Sequence, residues 1–551
     1  MVINQMKNTT FPKATYEEWK VEAVQSLKGK PYEQLVTPTF EGIDLQPLYT
    51  AEHLQKTLNY SEMVSQAKQD AKWLIAQPTS ANSAKEFLHK TKEQLTRGNE
   101  MIVYTGTSTS WSWSNEELLE LVELLKTHPF YISVKTTNDQ VIGVFDLISK
   151  QDHEKLIGFV NGVSLPFLKT VISTNFIHQA GGTAVHELAY ALLSLSKLAE
   201  KQSDFSDKAA VQFAIDTNFF MEIGKLRAFR VLWKAFATAY DVEQTSIPMV
   251  AETSLRSYSK LDPTVNLLRA GNATFSAVLG GADMISVHPY DILTGSSPSS
   301  ERIARNVQLV IREETMVNKM IDPSAGSYYV ESLTADLVRQ SWALFLQVLE
   351  KKSEDQEGYL LALAREVQTS RTQVLAKRKA SLIGTNIYAN PVDVVSTTDT
   401  DVETERLAIP FEQLRNQFTE HTLKAAVVSF GVLKDAKPRA DFVQGFLQAG
   451  GLNPEISPVF TTSVDAWRWV KLNHVDYVVI AAKDEVVKEI LPQFIEQSDK
   501  QMIIDVAGKF PEEQQWRELG LNGTIFAGQD LIEKMYQLLH VKKEGIRGYE
   551  A

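Results

Sequence analysis

Short apolar runs alternate with amphipathic stretches through most of the chain. Between residues 80 and 350, Met101–Tyr104, Tyr131–Val134, Val171–Asn175, Gln212–Ile215, Met249–Ala251 and Met284–His288 read as strands. From Asn218 to Phe236, the residues Phe219, Ile223, Leu226, Phe229 and Trp233 recur at three- and four-residue steps, which predicts a helix with one buried face. Strands alternating with helices predict a parallel sheet, because each parallel crossover needs a helix. This many units predicts a closed TIM-type (β/α)8 barrel.

A second alternating region follows. Ala425–Phe430, Glu455–Val459, Asp476–Ala481, Met502–Val506 and Gly523–Phe526 are separated by helical patterns near 438–449, 463–473, 485–497, 511–519 and 529–540. The strands are continuous apolar runs, as expected for a sheet covered on both faces. Five βα units predict a flavodoxin-like domain. The chain then divides into an N-terminal arm (1–79), a β/α barrel (80–350), a helical linker (351–423) and a flavodoxin-like domain (424–545). The linker holds a charged helical stretch from Leu337 to Lys379 that runs in from the barrel, and a polar run from Ser396 to Asp401. Phe11, Tyr16, Trp19 and Tyr49 give the arm more aromatics than a free tail keeps in water, so residues 1–50 are expected to contact a partner. Packing of the arm on its own barrel is the other reading.

Composition narrows the classes. The 551 residues are 44% hydrophobic and 23% charged, which excludes disordered and low-complexity proteins. A net charge of −12 argues against nucleic acid or an anionic membrane as a partner. With no cysteine, disulfides, cysteine-ligated zinc or iron–sulfur clusters and thiol nucleophiles are excluded. No apolar run is long enough to span a membrane, and Met1 to Pro12 has no signal-peptide core, so a cytoplasmic protein is expected.

Candidate chemistry is sparse. The ten histidines are scattered without zinc-ligand spacing, so no metal site is expected. His186-Glu187 reads as a helix N-terminal turn in preference to an acid–base dyad, and His288 as a hydrogen-bonded residue at a strand end. Arg302, Arg305 and Arg312 either contact a CoA phosphate or form a salt-bridged helix with Glu301, Glu313 and Glu314. In the C-terminal domain, ligands would bind at the carboxyl ends of the strands. Strand ends Phe430-Gly431 and Ala481-Ala482-Lys483 lack the acids of a phosphoryl receiver. The Gly431–Pro438 loop has one glycine, and its Lys434 and Lys437 read as solvated.

Several segments together resemble the methylmalonyl-CoA mutase family. They are Glu41-Gly42-Ile43 to Pro47-Leu48-Tyr49, Asp216-Thr217-Asn218 to Arg227-Ala228, Arg302-Ile303-Ala304-Arg305-Asn306-Val307-Gln308, Asp322-Pro323-Ser324-Ala325-Gly326 to Thr334, and Leu382-Ile383-Gly384-Thr385-Asn386. The resemblance runs from about residue 10 to 545. It implies an adenosylcobalamin-dependent interconversion of methylmalonyl-CoA and succinyl-CoA. Substrate would thread the barrel axis, and cobalamin would sit between the barrel and the C-terminal domain.

The family's reactive positions are altered in this chain. The histidine expected to contact the thioester falls on Val250, and a following glutamine on Glu252. In Gly280 to His288 a glutamine becomes Asp283 and a histidine becomes Ser286; the added carboxylate is expected to repel an anionic acyl-CoA. The cobalamin motif Asp-x-His-x-x-Gly reads Asp435-x-Lys437-x-x-Ala440, and a lysine ammonium offers no lone pair to cobalt. The later cobalamin positions read Lys483 and Ala507. The resemblance therefore implies a subunit with no catalytic residues and no bound cofactor. It would pair as a heterodimer with a homologous large catalytic subunit that holds adenosylcobalamin and the acyl-CoA. The alternatives are an active adenosylcobalamin-dependent acyl-CoA mutase with altered site residues, and a lone barrel protein with an anion-sensing C-terminal domain.

Overall fold

The computed structural model describes residues 14–54, 60–68, 70–106, 111–243, 246–396, 404–499 and 501–544. Its largest sheet has eight parallel strands: β1 (Leu74–Ile75), β2 (Ile102–Thr105), β3 (Phe130–Ser133), β4 (Gly158–Asn161), β5 (Lys169–Ser173), β6 (Ala209–Ile215), β7 (Met249–Thr253) and β8 (Met284–Ser286). They neighbour one another in chain order, and β8 returns to pair with β1. The seam between β1 and β2 is bridged by Glu100 N–H to Ile75 O (3.0 Å) and Thr79 N–H to Val103 O (3.4 Å). The sheet thus curls into the expected β/α barrel.

β1 and β4 were not foreseen. β1 is only two residues long, too short for an alternation to show, and it falls inside the segment expected as an arm. β4 opens on a glycine, which reads as a strand breaker. The glycine is required, since a Cβ at Gly158 would lie 2.1 Å from the Phe130 ring.

The helix expected at 218–236 is α1 (Phe219–Ala239), buried along most of its length. It packs against α2 (Tyr328–Leu349). The charged stretch expected as one helix is two, because α2 ends at Leu349 and α3 (Gln356–Ala376) begins after a polar break. In the N-terminal segment, Ile43 is buried in the barrel's outer core, the Tyr49 ring lies 5.1 Å from that of Tyr329, and Arg371 stacks over Phe40. This part of the arm packs on its own chain. Helix Tyr16–Ser26 has no buried residue, and Phe11 lies outside the described residues.

The C-terminal sheet has five parallel strands: β9 (Ala425–Phe430), β10 (Glu455–Phe460), β11 (Tyr477–Ala481), β12 (Ile503–Ala507) and β13 (Gly523–Ile525), in the order β10-β9-β11-β12-β13. This is the flavodoxin-like order, with a topological switch point between β9 and β11. Its first helix, α4 (Leu433–Ala449), begins five residues earlier than Pro438 suggested. The segment joining barrel and domain is pinned to the loop after β7. Leu407 N–H donates to Arg256 O (2.9 Å), and Thr385 Oγ1 to Ser259 Oγ (3.0 Å). Lys260 N–H donates to Glu412 (2.8 Å), which also takes both terminal nitrogens of Arg406.

Candidate functional site

Strand alternation decides what faces the barrel axis. On β7, Met249 and Ala251 pack outward among the helices, while Val250 and Glu252 point inward. Val250 joins Met101, Val103, Tyr131, Phe159 and Met284 in an apolar layer that fills the lower lumen, every member less than a tenth exposed.

Above this layer the lumen turns polar. Glu252 accepts from Gln212 Nε2 (2.9 Å) and Asn175 Nδ2, and its other oxygen lies 3.4 Å from His288 Nε2. Tyr131 donates to Gln212 Oε1 (3.1 Å). Burial, opposed by Glu252, holds the His288 imidazole below its usual pKa, so it stands neutral. Ser286 completes the group, with its hydroxyl buried and without a partner. Val250, Glu252 and Ser286 are thus brought together.

Asp283 is not part of this group. It precedes β8, at the end opposite the mouth, where it pairs with Arg230 (2.7 Å) and Lys68 (3.6 Å) and accepts from Met249 N–H (2.8 Å). Burial pushes its pKa up, but Arg230 and Lys68 outweigh it and hold the carboxyl below the usual range. The expectation that Asp283 repels an acyl group is corrected: of the altered positions, the carboxylate that faces the mouth is Glu252.

A buried ionic network behind the mouth had no simple sequence signal. Glu187 and Lys225 pair at 3.0 Å, and Glu187 Oε1 also lies 3.0 Å from His178 Nδ1. The Ser254 hydroxyl lies 2.7 Å from His178 Nε2. Serine, histidine and glutamate are the residue types of a nucleophilic triad. Here the histidine and glutamate are sealed, and Glu187 is shared with Lys225, so the arrangement ties loops together. Arg256 extends it by binding Asp216 (2.6 Å) and the carbonyls of His178 and Gly182. His186 closes a helix capping box on Thr183, as its position suggested. Two of the recognised segments also meet: Arg227 binds Asp322 (2.8 Å) and Glu331 (2.7 Å). The signal available was a pair of charged residues inside otherwise apolar helical patterns.

In the C-terminal domain the crevice at the switch point is occupied from within. Arg439, on α4, donates to the carbonyls of Ala482 (2.6 Å) and Ala507 (3.3 Å), pairs with Asp484, and lies over the Phe510 ring. Arg439 was not singled out in the sequence. Ala440 is buried beneath the helix. Asp435 is exposed on its first turn. Lys437 projects from the helix with a side chain 64% exposed and pairs with Asp441 (3.0 Å). Lys483 is also exposed, 3.9 Å from Glu485. The helical start at Leu433 replaces the loop these positions were expected to form. Among the described residues no cluster of metal-ligating side chains occurs, and no helix is long and apolar enough to cross a membrane.

Comparison with known proteins agrees with this architecture. The chain is 28% identical to the methylmalonyl-CoA mutase small subunit of Porphyromonas gingivalis, over 88% of this chain and 90% of that protein. It is 27% identical to the small subunit from Propionibacterium freudenreichii subsp. shermanii, over 61% of this chain and 62% of that one. The large subunit of the P. gingivalis enzyme is 29% identical over 52% of this chain and 42% of its own length. The family model described as methylmalonyl-CoA mutase matches residues 154–438, just over half of the sequence. The chain belongs to the methylmalonyl-CoA mutase family.

Proposed function

We propose that this chain is the non-catalytic small subunit of a heterodimeric methylmalonyl-CoA mutase. It supports a homologous large subunit that carries out the interconversion of methylmalonyl-CoA and succinyl-CoA. The observation that carries this reading is the filled barrel axis. A CoA thioester threading that axis would have to displace Tyr131, Phe159, Met101 and Met284, and would meet Val250, which has no polar atom. Charge points the same way, because Glu252 at the mouth disfavours an anionic acyl group.

The C-terminal crevice does not fit a corrinoid. Lys437 stands on the outer side of a helix in an ion pair, and Arg439 lies across the strand ends where a nucleotide tail would enter. The expectation of a large partner is supported by relatives from one organism that bear the names small and large subunit. In that assembly, helix Tyr16–Ser26, with Val21 and Val24 exposed, would be the partner-contacting part of the arm. A cysteine-free chain suits the cytoplasm, where we place the complex.

The test is to incubate the isolated chain with adenosylcobalamin, desalt it, and read its corrin absorbance and its turnover of methylmalonyl-CoA. No retained corrin and no turnover are expected. Stoichiometric corrin with turnover would show an active mutase and overturn the proposal.

A further inference from the structure

Arg305 is a buried cation with no direct ion pair among the described residues. The residue is 4% exposed, and it makes no hydrogen bond or ion pair with any described residue; its Nε is sealed from solvent and unpartnered. A guanidinium stays charged at every physiological pH, so it cannot escape this position by losing a proton. Glu301 stands one turn before it on the same helix, Pro298–Glu313, at a spacing that allows pairing, yet does not pair with it. Arg312, further along that helix, shows the ordinary outcome and is bound to Glu100 (2.9 Å) and Glu313 (3.0 Å).

The surroundings of Arg305 are those of a ligand cleft. It lines a recess between its own helix and Ala84–Thr96, into which Lys90, Arg97 and Arg302 also face, against the carboxylates Glu93 and Glu301. Lys90 is held by Glu86 and the Ser80 carbonyl, and Arg97 by Glu93, so both are positioned by their own helix or the segment before it. The recess offers about 80 Å³ to solvent, against a water's share of ~30 Å³. One tetrahedral oxyanion fits that space. Burial first, then the charges of Arg97 and Arg302, push the Arg305 pKa down, and Glu301 and Glu93 offset this only in part, so an anion would relieve it further.

We infer that this cleft binds a phosphate group, with Arg305 as its buried anchor and Arg302 closing over it. The same chemistry would accept free phosphate or the terminal phosphomonoester of a nucleotide. The site lies on the outer flank of the barrel and does not rest on the subunit reading, so retained corrin would leave it standing.

The test is calorimetric titration of the full chain, at ionic strength held constant with chloride, with inorganic phosphate, coenzyme A and dephospho-coenzyme A. Saturable phosphate binding at ~1 mM or tighter is expected, weakened at least ~10-fold in Arg305→Met and unchanged in Arg312→Met. Arg302→Gln, at an exposed position with no folding role, should weaken it as well. Binding of coenzyme A but not of dephospho-coenzyme A, with the difference lost in Arg305→Met, would identify a phosphomonoester as the ligand; phosphate binding alone would identify the free ion. No saturable binding, or equal binding by Arg305→Met, would overturn the inference. Because Arg305→Met removes an unpaired buried charge, it should also melt no lower than the parent chain in phosphate-free buffer.

Discussion

Glu187 shares one carboxylate between Lys225 and His178 with all three side chains sealed from solvent. Burial alone would raise its pKa; Lys225 first and then His178 reverse the effect and hold it at about 2. A carboxyl depressed in the fold adds stability above its unfolded pKa and loses it as pH falls. The parent chain should therefore lose stability between about pH 4.5 and 2, and Glu187→Gln should show a flatter denaturation profile across that window. At neutral pH the same variant leaves Lys225 dependent on Glu222, and about 3–5 kcal/mol of stability should go, measured by urea unfolding. Residues such as Val250 and Glu252 were legible in the sequence because a missing polar group is visible in a motif. The Glu187–Lys225 pair and Arg439 were not, since the first joins residues 38 positions apart and Arg439 reaches a carbonyl 68 positions away. Asp283 was legible as a change and misread in place, because a shift of one or two residues along a strand decides which end of the barrel a side chain serves.

At the level of elements, alternation located six barrel strands and all five C-terminal ones. It failed at Leu74–Ile75, the shortest barrel strand, and at Gly158–Asn161, which opens on a glycine; the pairing of both is imposed by neighbours in the ring. Helix α4 is the element with the clearest functional weight. Lys437→His with Ala440→Gly would place the family's residue types on a helix face, with Arg439 still across the crevice. A titration followed by the base-off spectral shift should show no tight cobalamin binding, and micromolar binding would mean the domain is two residues from competence. The glycine should also cost about 0.5–1 kcal/mol, read as a lowered denaturation midpoint. In the linker, Asn386 accepts from Leu382 N–H (2.7 Å) and donates to the carbonyls of Leu375 (3.0 Å) and Ala380 (2.9 Å), so one side chain holds the turn after α3. Asn386→Ala leaves those buried groups unmet and should destabilise the chain by about 1–3 kcal/mol in the same assay.

Across the whole molecule, the barrel core and the two faces of the C-terminal sheet are separate hydrophobic clusters joined by few polar ties. The Arg406–Glu412 pair, which also grips Tyr258 O and Lys260 N–H, is one of these. Calorimetry should show one cooperative transition for the parent chain, and Glu412→Ala should separate it into two by freeing the C-terminal domain to melt alone. The filled barrel axis bears on behaviour in the cell. A protein with an open pocket gains stability as its ligand accumulates, by RT ln(1 + [L]/Kd). A barrel plugged by its own tyrosine, phenylalanine and methionines has no such dependence through its axis, so any rise of its melting temperature with acyl-CoA should vanish in Arg305→Met. In the proposed heterodimer, starvation for substrate would then soften the large subunit, while the barrel of this chain keeps its own stability.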